Sequence, residues 1–183
     1  MSKKYMTIFL AILLILTYTN TTKGIENIDV RVRGIVNNTN TKHINSFMGA
    51  VTKLGDASIN YSIGASLPNK EIRKNSMKSI ILAGVTTQIL KIAIGKSRPP
   101  GPIEYNPFTI SSRNNAMPSG HTATAFALAT SIADYYPKYK YLSYTIATLV
   151  GISRLYKDMH WFTDVIAGAG VGYASAKIVQ IKF

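Results

Sequence analysis

Asp164 follows His160 by four positions. On a helix or in its first turn, that spacing puts both side chains on one face. A carboxylate there takes the proton on one imidazole nitrogen and leaves the other nitrogen as a base or nucleophile. Arg154 lies six residues before His160. Its planar fork of donors suits a phosphate. A surface loop with one polar pair would read the same way, so the stretch needs support from elsewhere in the chain. Pro118-Ser119-Gly120-His121 opens a helix after a long loop. The N-terminus of a helix presents free N–H groups and the positive end of the dipole to whatever lies in front of it. Gly120 allows close approach to the backbone, Ser119 can donate from its hydroxyl, and His121 can pass a proton. Further upstream, Lys91 and Arg98 can converge on one anion if Gly95 and Ser97 let the chain turn. Lys96, beside them, reads as an ordinary helix-end lysine facing the dipole and solvent.

These residues need a scaffold of helices. Ile44 to Leu54 has helical patterning and stops at Gly55; 57–67 is ambiguous. Asn69 to Gly95 is the longest candidate, with Asn69 as N-cap and Met77, Ile80, Ile81, Val85, Ile89 and Ile92 at three- and four-residue steps. Gly95 and Pro99-Pro100 end it. Residues 96–118 form a loop rich in Pro, Gly, Ser and Asn, of a length that tends to be functional or disordered. Helices are expected from Ser119 to Tyr136, from Tyr139 to Tyr156, and from Thr163 towards the C-terminus. The last carries Gly168, Gly170 and Gly172, small residues that permit close packing. No strand pair or repeat is visible, so the expected fold is an all-α helical bundle.

The 183 residues suffice for one domain with a core, and their mean hydropathy is +0.10. The net charge of +13 suits an anionic partner. Its Lys and Arg are scattered, with no run that would read as a nucleic-acid arm, so no nucleic-acid partner is expected. The absence of Cys excludes disulfides and thiolate chemistry. His43, His121 and His160 have no H-E-x-x-H context or carboxylate cluster, so neither metal nor cofactor is expected. Residues 1–24 read as a signal peptide, with Lys3 and Lys4 before an apolar run from Tyr5 to Tyr18 and a cleavage position after Gly24. An uncleaved signal anchor is the rival. The polar stretch 25–45 reads as a loop or arm, with His43 solvated at its end. The domain boundaries expected are 1–24 for the targeting segment, 25–68 for a polar arm with accessory helices, and 69–183 for the catalytic domain.

Taken together, Lys91…Arg98-Pro99, Pro118-Ser119-Gly120-His121 and Ser153-Arg154…His160…Asp164 resemble the signature of the type 2 phosphatidic acid phosphatase and vanadium haloperoxidase superfamily. All eleven fixed positions of the three-part motif are present. The resemblance covers roughly 75–180 and does not extend to 25–70. It implies that His160 is a nucleophile forming a phosphohistidine and that Asp164 orients it. It further implies that His121 protonates the leaving alkoxide and then activates water. Lys91, Arg98, Ser119, Arg154 and the Gly120 N–H would cradle the phosphate. The function implied is a metal-independent phosphatase of the cell envelope, acting on a lipid-linked phosphate or pyrophosphate at an anionic membrane surface. The lipids in view are phosphatidic acid, phosphatidylglycerophosphate, undecaprenyl pyrophosphate and lipid A. A broad-specificity soluble periplasmic acid phosphatase would use the same site. An anionic-lipid-binding protein without turnover would leave the ordered His, Arg and Asp positions unexplained. Export is expected, with the site on the outer side of the inner membrane. The uncharged runs 79–90, 141–153 and 165–176 fall short of the roughly 20 residues of a spanning helix.

Overall fold

The computed structural model describes residues 23–181, so nearly all of the expected targeting segment lies outside the described residues. The helices run α1 Lys23–Thr39, α2 Lys42–Lys53, α3 Ala57–Ser66, α4 Lys70–Ile94, α5 Gly120–Tyr135, α6 Lys140–Tyr156 and α7 Phe162–Gln180. A short 3-10 turn, Pro137–Tyr139, precedes α6. The described residues contain no strand, and one bridge joins Lys96 to Tyr105.

Helix α5 is the centre of the bundle and packs on α4, α6 and α7. Its sequence is rich in Ala, Thr and Ser, and these side chains are buried around most of its circumference. A helix buried on all sides needs such small residues to let its neighbours come close. Glycines on α7 answer them. A Cβ at Gly168 would lie 2.5 Å from the Ser119 carbonyl oxygen, and one at Gly172 would lie 2.2 Å from that of Ala123. These two glycines are four apart and share one face, whereas Gly170 falls on another side. Ile80, Ala83, Leu90, Met117, Ala127, Leu128 and Val171 fill the space between α4, α5 and α7.

One expectation needs correction here. The stretch 25–45 is not a loop, because α1 occupies most of it. Its docking face is polar, through Asp29 and Arg33, and apolar periodicity therefore gave no sign of it. The apolar positions that mark α4 as a helix divide between two faces: Ile80 enters the core, and others turn outwards. Ile81, Val85 and Ile89 are 54%, 53% and 61% exposed, while Ser76, Ser79, Ala83 and Thr87 face the core. Of the described helices, α4 alone is long and apolar enough, by length and composition, to cross a membrane. The ambiguous stretch 57–67 is helix α3, and Asn69 caps α4 by accepting from the Glu71 N–H at 2.8 Å.

Candidate active site

The end of α4 turns as the sequence requires. Gly95 caps the helix at φ 61°, and a Cβ there would meet the Asn106 carbonyl oxygen at 1.9 Å. This left-handed turn sends the chain back, so that Lys91 and Arg98 both reach Asn115. The Lys91 ammonium donates to the Asn115 carbonyl, and Arg98 Nε donates to Asn115 Oδ1 at 2.8 Å. Arg98 also donates to the Met159 carbonyl, just before His160. The 96–118 loop is pinned rather than structureless. Backbone bonds run from Ser97 to Glu104, Arg98 to Arg113 and Ala116 to Lys96, and the Trp161 indole donates to the Ser97 carbonyl at 2.7 Å.

Ser119 is the N-cap of α5 and is fully buried. Its side chain caps no backbone group and instead accepts from Thr122 Oγ1 at 2.9 Å, which leaves the hydroxyl proton for a ligand. The Ser119 N–H donates to the Asp164 carbonyl at 2.9 Å, tying this helix start to that of α7. His121, in the first turn of α5, directs Nε2 at Asp56 Oδ1, 2.8 Å away.

His160 is buried just ahead of α7, with Nδ1 3.4 Å from Asp164 Oδ2. That separation is an ion-pair contact, longer than a well-formed hydrogen bond. It assigns Nδ1 to the carboxylate side and Nε2 to the open side. Asp164 Oδ2 accepts from the Trp161 N–H at 2.8 Å, which fixes the carboxylate against its own helix start. Burial pushes the His160 pKa down to about 4; Asp164 opposes this, while the charges of Lys91 and Arg98 add to it. Burial alone would raise Asp164, but the His160 contact and the Lys96 charge outweigh it and hold it below its ordinary value. Arg154 is buried in the last turn of α6, donates to Thr52 Oγ1, and keeps Nε without a partner. Arg98 and Arg154 also oppose protonation of His121, whose pKa lies below its ordinary value chiefly through burial. The three motifs therefore share one electrostatic neighbourhood. Lys91 and Arg98 act on the buried His160 imidazole, Arg98 and Arg154 act on His121, and Ser119 is tied to Asp164 at the start of α5; cations beside a helix N-terminus are the means by which a protein holds a tetrahedral oxyanion.

Several residues here escaped the sequence reading. Lys96 is not a solvated helix-end lysine; it is fully buried. Its Nζ is 2.7 Å from Asp29 Oδ2 and 3.0 Å from Asp164 Oδ1, and it donates to Thr163 Oγ1. Burial works against its charge, but Asp164 and Asp29 outweigh burial and raise its pKa. Asp29 also accepts from the Thr163 N–H at 2.8 Å, and Arg33 grips Asp158 through two bonds of 2.7 and 2.8 Å. Helix α1 thus braces both ends of the His160 loop. Asp29, Arg33 and Asp56 lie in the segment without motif resemblance, and single charged residues there carried no signal of their partners. His43 is exposed, as expected.

Lys91, Arg98, Arg154, His121 and His160 thus lie within one all-α bundle, close enough to act on one another's charge. The sequence model of the PAP2 superfamily matches residues 76–182, and the chain belongs to this superfamily. It is similar to the lipid A 1-phosphatase of Porphyromonas gingivalis, 42% identical over 86 residues, covering 45% of this chain and 17% of that protein. It is similar to the undecaprenyl-diphosphatase of Sulfolobus acidocaldarius, 28% identical, covering 100% of this chain and 93% of that protein. The chain spans less than half the length of the lipid A 1-phosphatases that it matches. In fold it resembles the transmembrane PAP2 type phosphatidylglycerolphosphate phosphatase of Bacillus subtilis. The TM-score is 0.73 at 22% identity, over 97% of this chain and 94% of that one. Aquifex aeolicus LpxE aligns with a TM-score of 0.67 at 25% identity, over 84% of this chain and 95% of that one.

Proposed function

We propose that the protein is a membrane-associated phosphatase that hydrolyses a lipid-linked phosphomonoester or pyrophosphate through a phosphohistidine at His160, without a metal. The observation that carries this reading is the buried His160–Asp164 pair facing Lys91, Arg98, Arg154 and the start of α5. His160 Nε2 attacks phosphorus while the P–O bond to the leaving group breaks. The three cations, Ser119 and the Gly120 N–H hold the equatorial oxygens. His121 gives a proton to the departing alkoxide. It then takes one from the water that attacks the phosphohistidine and frees His160.

Two features support a lipid leaving group. A groove of about 600 Å³, lined by Tyr61, Ile81, Val85, Ile89, Ile92 and Thr124, runs between α3 and α4. Thr124 lies one turn beyond His121, so an apolar chain leaving on the His121 side has this groove beside it. The relatives with the names given above act, by those names, on lipid A, undecaprenyl diphosphate and phosphatidylglycerolphosphate. The N-terminal Lys-then-apolar order supports export, with the site on the outer side of the inner membrane.

The test is phosphate release by purified protein from phosphatidic acid, phosphatidylglycerophosphate, undecaprenyl pyrophosphate, lipid A and short soluble esters, with and without chelator. Faster turnover of one lipid class, unchanged by chelation and blocked by vanadate, is the expected result. Equal turnover of soluble esters would replace the lipid reading with a broad-specificity acid phosphatase. Loss of activity on chelation would refute the metal-free route.

A further inference from the structure

Residues 54–56 form the turn between α2 and α3, and the turn is built tightly onto the first turn of α5. Thr124 Oγ1 donates to the Gly55 carbonyl at 3.1 Å. Asn60 Nδ2 donates to the Leu54 carbonyl at 3.0 Å. A Cβ at Gly55 would lie 2.5 Å from Val150 Cγ1 and 2.9 Å from His121 Cβ, so the turn touches His121 directly. Asp56, the next residue, is the N-cap of α3. Aspartate at that position ordinarily caps the helix through its carboxylate. Here the side chain makes no capping bond and points instead at His121 Nε2, 2.8 Å away.

We infer that Asp56 is a positioning residue for the proton-transfer step: it holds His121 with a proton on Nε2, so that Nδ1 exchanges the proton with the leaving group and with water. This rests on the role proposed above for His121. A carboxylate at Nε2 accepts a hydrogen bond only if that nitrogen is protonated, in both the neutral and the charged ring. Nδ1, which makes no hydrogen bond among the described residues, is then the nitrogen whose proton comes and goes. In the first step, the Nδ1 proton moves to the alkoxide as the P–O bond breaks and the His160–phosphorus bond forms. In the second, water attacks phosphorus, its proton returns to Nδ1, and the His160–phosphorus bond breaks. Asp56 remains a carboxylate throughout. The charged groups facing His121 are Asp56 from the α2–α3 turn, Arg154 from α6 and Arg98 from the loop after α4. Asp56 alone of these favours the protonated ring. The site then carries two carboxylate–histidine pairs, His160–Asp164 for attack and His121–Asp56 for departure.

The experiment compares the full-length wild type, Asp56→Asn and His121→Ala by first-turnover rate against pH, on an alkyl phosphate and on 4-nitrophenyl phosphate. Asparagine retains a strong N-cap preference and the side-chain shape. For Asp56→Asn, the alkyl phosphate rate should fall by about 10- to 100-fold, a partial loss of the roughly 10²- to 10⁴-fold that a general acid supplies. The 4-nitrophenyl rate, which needs no proton, should change by less than about 3-fold. The alkaline limb should move to lower pH, because Arg154 and Arg98 then act on His121 unopposed. Asp56→Ser, another good N-cap without a carboxylate, should behave in the same way and serves if the asparagine variant unfolds. If His121→Ala discriminates between the two esters but both Asp56 variants slow them equally, or slow neither, Asp56 is structural and the inference is overturned. If His121→Ala itself shows no discrimination, the role of His121 fails and this inference fails with it.

Discussion

At the residue scale, two histidines share one site and their carboxylate partners leave them with different work. His160 is held neutral, with its pKa at about 4 through burial, so its Nε2 is available for attack above that pH. His121 is also lowered by burial, below its ordinary 6.5, and its protonated form is lost as the pH rises through that lowered value. In the proposed mechanism, attack needs unprotonated His160 and departure needs protonated His121. The expected kcat/KM profile is therefore a bell whose acid limb falls near pH 4 and whose alkaline limb lies below 6.5, measured with an alkyl phosphate. An optimum above neutrality would contradict the assignment of the two roles. Asp164→Asn keeps the shape but removes the charge that orients His160; it should lower kcat on the order of 10³-fold while the variant remains folded. The motif residues were legible in the sequence because their chemistry depends on residue type and spacing. Lys96 and Asp56 were not, because their partners lie 67 or 68 and 65 residues away in the chain and only the fold brings them together.

At the element scale, the site depends on close contact between α5 and α7 and on α1 beneath the His160 loop. Gly172→Val would drive a side chain into the Ala123 carbonyl and separate the two helices. The expected loss is about 1–3 kcal/mol, read as a lower Tm, together with weaker activity because Ser119 and Asp164 move apart. Asp29→Ala removes a carboxylate that is 1% exposed, leaving buried Lys96 with one partner fewer. Breaking such a pair costs about 3–5 kcal/mol. Thermal unfolding of both variants checks these values; an unchanged Tm for Asp29→Ala would mean that α1 is not a brace. The helices from α4 to α7 were readable from caps, breakers and loop residues. Helix α1 was not, because it docks through charged and hydrogen-bonding side chains that resemble a solvated arm until their partners are known.

At the scale of the whole molecule, the outward apolar residues of α4 and the net charge of +13 both suit the proposed place at an anionic bilayer. In protein lacking residues 1–24, Val85→Asp combined with Ile89→Asp, both on that exposed face, should release the protein from membranes under carbonate extraction and leave turnover of a short soluble ester within about 3-fold. Retention in the membrane pellet would show that α4 does not make the lipid contact. The chain has no cysteine, so Ser112→Cys places a single thiol at the exposed rim of the hollow beside Arg98. An impermeant thiol reagent should label it in intact cells if the site faces outwards; labelling only after lysis would reverse the orientation. Periodicity identified α4 as a helix but did not say which of its apolar positions enter the core, because an apolar residue packed on protein and an exposed one give the same pattern.

The central claim is that phosphate passes through His160. Wild-type protein, alkali-quenched during turnover of a radiolabelled lipid phosphate in excess chelator, should carry a label that maps to His160, survives alkali and is lost on brief acid treatment. A folded His160→Ala variant should carry no label and release no phosphate. Label on another residue, or substantial turnover by that variant, would contradict the account.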